Sequence, residues 1–230
     1  MTAHRAFHYV RHSKWQPGGQ SHGNKKGTSL TAPQSETSAA TRATVVVLYA
    51  ETRGFTRVSE ILEPAVVLAR IAEFFALVSA AVERHEGTVR SLLNDNLIAT
   101  FAGAAEAQNA VEAAQEIQRD FGALEEAWQR DYGFRTAIAI GLHSGDAVIG
   151  VVDGHPLIVG DGLSIAERLL HRARAGEVVL SKPIMDALTA AGVELDAQEL
   201  EPLKLSKREP IQLYGVQLDT QLDFTDRTNY

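Results

Sequence analysis

Cysteine is absent from this 230-residue chain, which removes disulfides, thiolate metal ligands and thiol nucleophiles together. Methionine and tryptophan are scarce, at two each, and aromatic residues make up only 7%. Any core must therefore be built chiefly from aliphatic side chains. Long apolar runs are lacking as well: none approaches the roughly 18 residues needed to cross a bilayer. The N-terminus carries no apolar stretch of the signal-peptide kind. A cytoplasmic chain with no membrane span is the expectation that follows.

What is present is ordinary in amount and uneven in placement. The 45% apolar and 22% charged fractions suit a folded domain, and the length allows one sizeable core with a tail. Net charge is −7 overall, yet residues 1–43 hold six Lys or Arg against one Glu, a balance of +5 that leaves −12 on the remainder. That first segment is rich in Ser, Gly, Thr, Gln and Asn and shows no sustained periodicity, so it reads as a disordered basic tail. His4, His8 and His12 within it would share one face of a helix, but no carboxylate joins them to complete a metal site. The acidic body argues against nucleic acid as a partner. Residues 219–230 read as a second polar tail.

From Thr44 onward, strand and helix patterns alternate. An apolar strand ends at Glu51 and is followed by the turn Arg53-Gly54-Phe55-Thr56. A helix opening at Pro64 repeats Val67, Ile71, Phe74, Phe75, Val78 and Val82 until Gly87 stops it. Two short strands, 88–93 and 97–101, flank Asn94-Asp95-Asn96, residues suited to a hairpin turn. A second helix over about 104–128 precedes strands at 135–143, 147–152 and 157–159 and a helix near 161–173. A strand at 177–180, a helix near 183–191 and a strand at 211–216 complete the pattern. The order β-α-β-β-α-β with C-terminal additions predicts an α+β fold with a ferredoxin-like core over residues 44–218.

On such a core the end of the first strand meets the hairpin joining the second and third, so Glu51 and Asp95 are expected to converge. Two carboxylates beside a glycine-containing turn make an all-oxygen site suited to Mg²⁺ or Mn²⁺ and the nucleoside triphosphate it brings. Gly54 lets backbone N–H groups approach an anion closely. Each acid also has a plainer reading, Glu51 as a helix cap and Asp95 as an acceptor within its own turn.

Five segments in order resemble the catalytic domain of the class III adenylate and guanylate cyclases. They are Glu51-Thr52-Arg53-Gly54-Phe55-Thr56, the hairpin Asn94 to Phe101, the strand Ala139 to Gly145, the stretch Gly160 to Leu169, and Ala175 to Ser181. The resemblance covers about residues 44–218 and implies the class III nucleotide cyclase fold. It also implies an internal phosphoryl transfer in ATP or GTP: the ribose 3′-oxygen attacks the α-phosphate and pyrophosphate leaves. Carried over residue by residue, it makes Glu51 and Asp95 metal ligands, Thr52, Arg53, Gly54, Phe55 and Thr56 the phosphate turn, and Arg168 with Ser164 the catalytic positions. In this family the last two act across a dimer interface.

The same comparison exposes departures. Glu51 stands where the family has Asp, one methylene longer, a change that weakens Mg²⁺ binding or favours the more tolerant Mn²⁺. Ser164 replaces an Asn and has no amide to reach the ribose. Ser91 and Leu157 occupy the base-reading positions, where a Lys and an Asp or Thr are usual, and leucine reads neither adenine nor guanine. Lys204 and Lys207 flank the place of the family's triphosphate-contacting lysine. The hairpin arm at residues 151–159 is short, which weakens a homodimer or a heterodimer with another cyclase domain. The departures point to a catalytically degenerate cyclase-like module, binding or regulatory, in cyclic-nucleotide signalling. The alternatives are an active cyclase with altered base recognition and the metal-side half of a heterodimer.

Overall fold

The computed structural model describes residues 40–152, 155–206 and 208–217. His4, His8 and His12, Lys207, and both expected tails except residues 40–43 lie outside the described residues.

Four consecutive residues of the first strand, Val45 to Leu48, are fully buried, as in a strand covered on both faces. This strand, β1 (Thr41–Arg53), pairs antiparallel with β3 (Asn96–Phe101) on one edge and β4 (Ala137–Val152) on the other. The remaining strands are β2 (Thr88–Leu93), β5 (His155–Val159), β6 (Glu177–Ser181), β7 (Gln198–Leu205) and β8 (Arg208–Gln217). They form an eight-stranded sheet in the order β2-β3-β1-β4-β6-β8-β7, with β5 paired to β4. The α+β reading with a ferredoxin-like core and C-terminal additions is the observed architecture.

Helices cover the sheet unequally. The helices α1 (Phe55–Ile61), α2 (Pro64–Arg84), α3 (Glu106–Tyr132) and α5 (Lys182–Ala190) share one core with Val46, Leu48 and Ala50 of β1. Trp128 is fully buried there between Phe55 and Phe121, and its indole N–H donates to Glu73 Oε2 at 3.0 Å. The opposite face, with Val45 and Val47, is covered by α4 (Asp161–Arg172). Backbone meets backbone at that contact. A Cβ on Gly141 of β4 would lie 2.3 Å from the Ala166 carbonyl oxygen and 2.4 Å from the Leu170 nitrogen.

Several elements differ from the sequence reading. The seven-residue α1 was not expected, being too short for a periodic signal. Nor was β7, whose Glu199, Glu201, Pro202 and Lys204 obscure a strand but suit the edge it occupies. Gly145 does not divide β4, which runs unbroken for 16 residues. The first strand begins at Thr41 rather than Thr44, where Arg42 pairs with Asp146 at 2.7 Å. Finally, α2 is long and apolar enough by length and composition to cross a membrane, with mean hydropathy 2.0 over 18 residues, contrary to the expectation of none. Arg70 and Glu73 interrupt the run and hid this average. In the fold α2 buries Phe74, Val78, Ala81 and Val82 against the shared core.

Because α4 rests directly on Gly141, Gly141→Ala is expected to cost about 1–3 kcal/mol by overpacking. Urea unfolding checks the loss, and faster amide exchange within α4 locates it.

Candidate functional site

Sheet register sets the two carboxylates side by side. Glu51 pairs with Asn96, and the Thr52 N–H donates to the Asp95 carbonyl at 3.3 Å. Asn94 makes the tight reversal at φ +53°, a left-handed conformation that asparagine tolerates. The Asp95 carboxyl is pushed above its ordinary value: burial is the largest cause, its own backbone amide opposes, Glu51 adds to the rise and Arg53 counters it. Two half-buried carboxylates at neighbouring positions have the donor chemistry for a hard divalent cation. Among the described residues no group of three or more His, Cys, Asp or Glu could hold a metal, so further oxygen ligands would come from phosphate or backbone.

Glu51 is not unpartnered. The Arg53 guanidinium donates from Nη1 to Glu51 Oε2, and from Nη2 to the carbonyl oxygens of Leu170 at 2.6 Å and Ala173 at 3.4 Å. Strand alternation explains this: residues 49, 51 and 53 share the face that α4 covers. Tyr49, on the same face, has its phenol pushed up by burial first and then by Glu167 and Glu51. Thr52 points the other way and is 3% exposed, its hydroxyl without a partner. Phe55 lies in the core against Trp128. Of residues 52–56, only Gly54 and Thr56 are exposed. Gly54 takes φ +82° at the start of α1, which has no side-chain cap, leaving backbone N–H groups as the donors a phosphate would meet there.

The remaining expected residues lie elsewhere on the fold. Ser164 and Arg168 are exposed on α4, one turn apart, while Ile165, Ala166, Leu169 and Leu170 anchor the helix. Among the described residues no hydrogen bond or ion pair joins either to Glu51 or Asp95. Lys204 is exposed on edge strand β7, four strands from β1 and so about 19 Å away at the usual spacing. Arg172 ties α4 to that strand, donating to the Glu201 carbonyl at 3.0 Å. Ser91 on β2 is exposed and Leu157 on β5 is 49% exposed; the two strands touch. Within one chain, Glu51 and Asp95 at the strand end thus share no described side-chain bond with Ser164, Arg168 or Lys204, although Arg53 links Glu51 to the end of α4.

The sequence reading missed the bridge from Arg53 to α4, although the i, i+2 spacing of Glu51 and Arg53 placed both on one strand face. It also missed a cleft of about 570 Å³ at the N-terminus of α4, lined by His143, Asp146, Val159, Asp161 and Ile165 among others and by none of the expected site residues. His143 is 5% exposed, with Nδ1 2.8 Å from Ser181 Oγ. Burial pushes its pKa down to about 4, against a smaller opposing effect of Asp161.

Comparison with known proteins places this geometry. Residues 37–217 match the family described as the Adenylate and Guanylate cyclase catalytic domain. The chain is 32% identical over 142 residues to Adenylate cyclase 1 of Rhizobium meliloti (strain 1021), covering 57% of this chain and 21% of that protein. It is 25% identical over 156 residues to the Adenylate cyclase of Anabaena cylindrica, covering 63% of this chain and 31% of that protein. The chain therefore spans a third or less of the length of the curated relatives it matches. The crystal structure of the adenylyl cyclase CyaB from P. aeruginosa superposes with a TM-score of 0.70 at 20% identity, over 80% of this chain and 98% of that one.

Two outcomes follow from the electrostatics. The raised folded-state value of Asp95 means that its ionisation costs stability, a cost absent below the unfolded carboxylate range and complete above the folded value. Asp95→Asn is therefore expected to raise the urea midpoint of the metal-free protein at pH 7. Mn²⁺ at a hundred times its Kd is expected to stabilise the wild type by about 2.7 kcal/mol and the variant by much less. For His143 the sign is reversed: neutral burial contributes stability that is full above the ordinary value of 6.5 and lost as pH falls toward about 4. Unfolding between pH 7 and 4 is expected to show a loss of about 3 kcal/mol from this group, and His143→Gln to flatten that slope.

Proposed function

Because this chain belongs to the adenylate and guanylate cyclase catalytic-domain family, we propose that it serves cyclic-nucleotide signalling as a nucleoside-triphosphate-binding domain that has lost turnover on its own. The observation that carries this reading is the chemistry of α4 and β5: the exposed position 164 offers a serine hydroxyl in place of an amide, and the exposed position 157 offers leucine. A buried purine edge facing leucine forfeits its hydrogen bonds, which disfavours a productive pose. Both curated relatives are named adenylate cyclases, which favours ATP over GTP as the nucleotide.

In this reading Glu51 and Asp95 hold Mg²⁺ or Mn²⁺, and the backbone N–H groups after Gly54 receive the phosphates. A bound dication would neutralise the phosphates and acidify the attacking hydroxyl. Arg168 keeps the charge that a transition state needs, and Lys204 keeps one for the triphosphate. Ser164 and Arg168 face solvent from α4 and Lys204 lies on the far edge strand, which favours a complete site shared with a second chain, either another copy or a different cyclase domain. The domain proper is proposed to span 44–218 between two tails, and to act in the cytoplasm, where nucleoside triphosphates are abundant.

A second reading has its own observation. Glu51 and Asp95 converge while the opposing α4 surface is the depleted one, the arrangement of a metal-side half that works with a complete partner.

Purified protein with Mn²⁺ and ATP or GTP is expected to yield no cyclic nucleotide at high concentration. Product from the chain alone would establish an active cyclase instead. Product only after mixing with a complete cyclase domain, abolished by Glu51→Ala, would establish the heterodimer half.

A further inference from the structure

We infer that Arg53 is a built-in competitor for the metal site and links its occupancy to α4. This rests on the reading that Glu51 and Asp95 hold a divalent cation. The guanidinium is held between two anchors of different kinds. One N–H group donates to the Glu51 carboxylate, and another donates to the Leu170 and Ala173 carbonyl oxygens at the C-terminal end of α4. The Arg53 and Glu51 side chains are 17% and 23% exposed, so water screens the pair weakly. Arginine stays charged at every relevant pH. In the metal-free protein the guanidinium therefore supplies to Glu51 the positive charge that a cation would supply.

A dication entering between Glu51 and Asp95 must take over that carboxylate and repel the guanidinium at short range. Arg53 need not return to solvent. The carbonyl end of a helix is the negative end of its dipole and already holds Nη2. Released from Glu51, the whole side chain can settle on the last turn of α4. That helix carries Ser164 and Arg168 on its exposed face, so filling the metal side is felt by the element presenting the other half of the site. Charged and titratable groups facing this region include Tyr49, Asp95 and Glu167, with His171 and Arg172 in the last turn of α4; among the described residues the side-chain hydrogen bonds of Arg53 go to Glu51, Leu170 and Ala173. A merely structural ion pair and a competitor make opposite predictions for metal affinity.

The test uses the nucleotide-free full chain and counts free Mn²⁺ by electron paramagnetic resonance. Arg53→Gln is expected to bind Mn²⁺ about tenfold tighter than wild type, the order of a removed half-buried ion pair, even though the protein becomes less stable to urea. In the wild type, adding Mn²⁺ is expected to change amide exchange at residues 170–174; in Arg53→Gln it is not. Equal or weaker Mn²⁺ binding by the folded variant overturns the inference while leaving the metal reading intact. Absence of Mn²⁺ binding by wild type and variant alike overturns both. Should Arg53→Gln fail to fold, the wild-type exchange experiment decides alone, and unchanged exchange at 170–174 on Mn²⁺ binding overturns the inference.

Discussion

Hydrogen bonding of β1 along both of its edges is the constraint from which the site follows. Glu51 lies opposite Asn96 on one edge and Ala139 on the other, so its height in the sheet is set twice. Burial of Val45 to Leu48 on both faces drives that placement. A slip of one residue would turn Glu51 into the α2–α3 core and bring Thr52 out beneath α4. The hairpin with Asn94 and Asp95 inherits its place from the same pairing, because β3 begins where β1 ends.

Charge is then concentrated at a half-buried strand end. Glu51, Asp95, Arg53 and Tyr49 occupy neighbouring positions, and partial burial leaves water less able to screen them than an exposed surface pair. Asp95 holds its proton more tightly than a free carboxylate does. The cluster is balanced by a single guanidinium that also closes the end of α4. The other residues of the proposed site, Ser164 and Arg168 on α4 and Lys204 on β7, are solvated and make few demands on the fold. Helix α4 nonetheless rests on glycine backbone, at Gly141, with no side chain to cushion a shift.

Much of this was legible in the sequence. A continuous apolar run marked β1, three-and-four spacing marked the long helices, and Asn94-Asp95-Asn96 marked the hairpin; the two acids were expected to meet because strand order brings their segments together. The parts that were not legible depend on contacts that no local pattern encodes. Seven residues of α1 leave no periodic trace, and an edge strand such as β7 admits the charges and proline that argue against a strand elsewhere. Arg53 sits within the turn that the sequence reading expects to receive phosphate, yet its partners Leu170 and Ala173 are 117 and 120 residues away. Backbone carbonyl partners carry no sequence signature at all. The buried state of His143 was likewise invisible, since its partner Ser181 belongs to another strand.

The division of the site between a half-buried strand end and an exposed helix face has a consequence for mutational drift. Positions 164 and 168 are solvated, so replacing an amide by a hydroxyl at 164 changes chemistry with almost no effect on folding, and nothing in the fold resists it. Position 95 is the reverse: a neutral residue there relieves an electrostatic penalty, and random change under selection for stability alone would remove the acid. Stability alone thus acts differently on the two groups of residues, whatever their roles in chemistry. Under the proposed reading, substitutions on the helix face would change chemistry without changing stability, whereas an acid at position 95 carries a thermodynamic cost of its own.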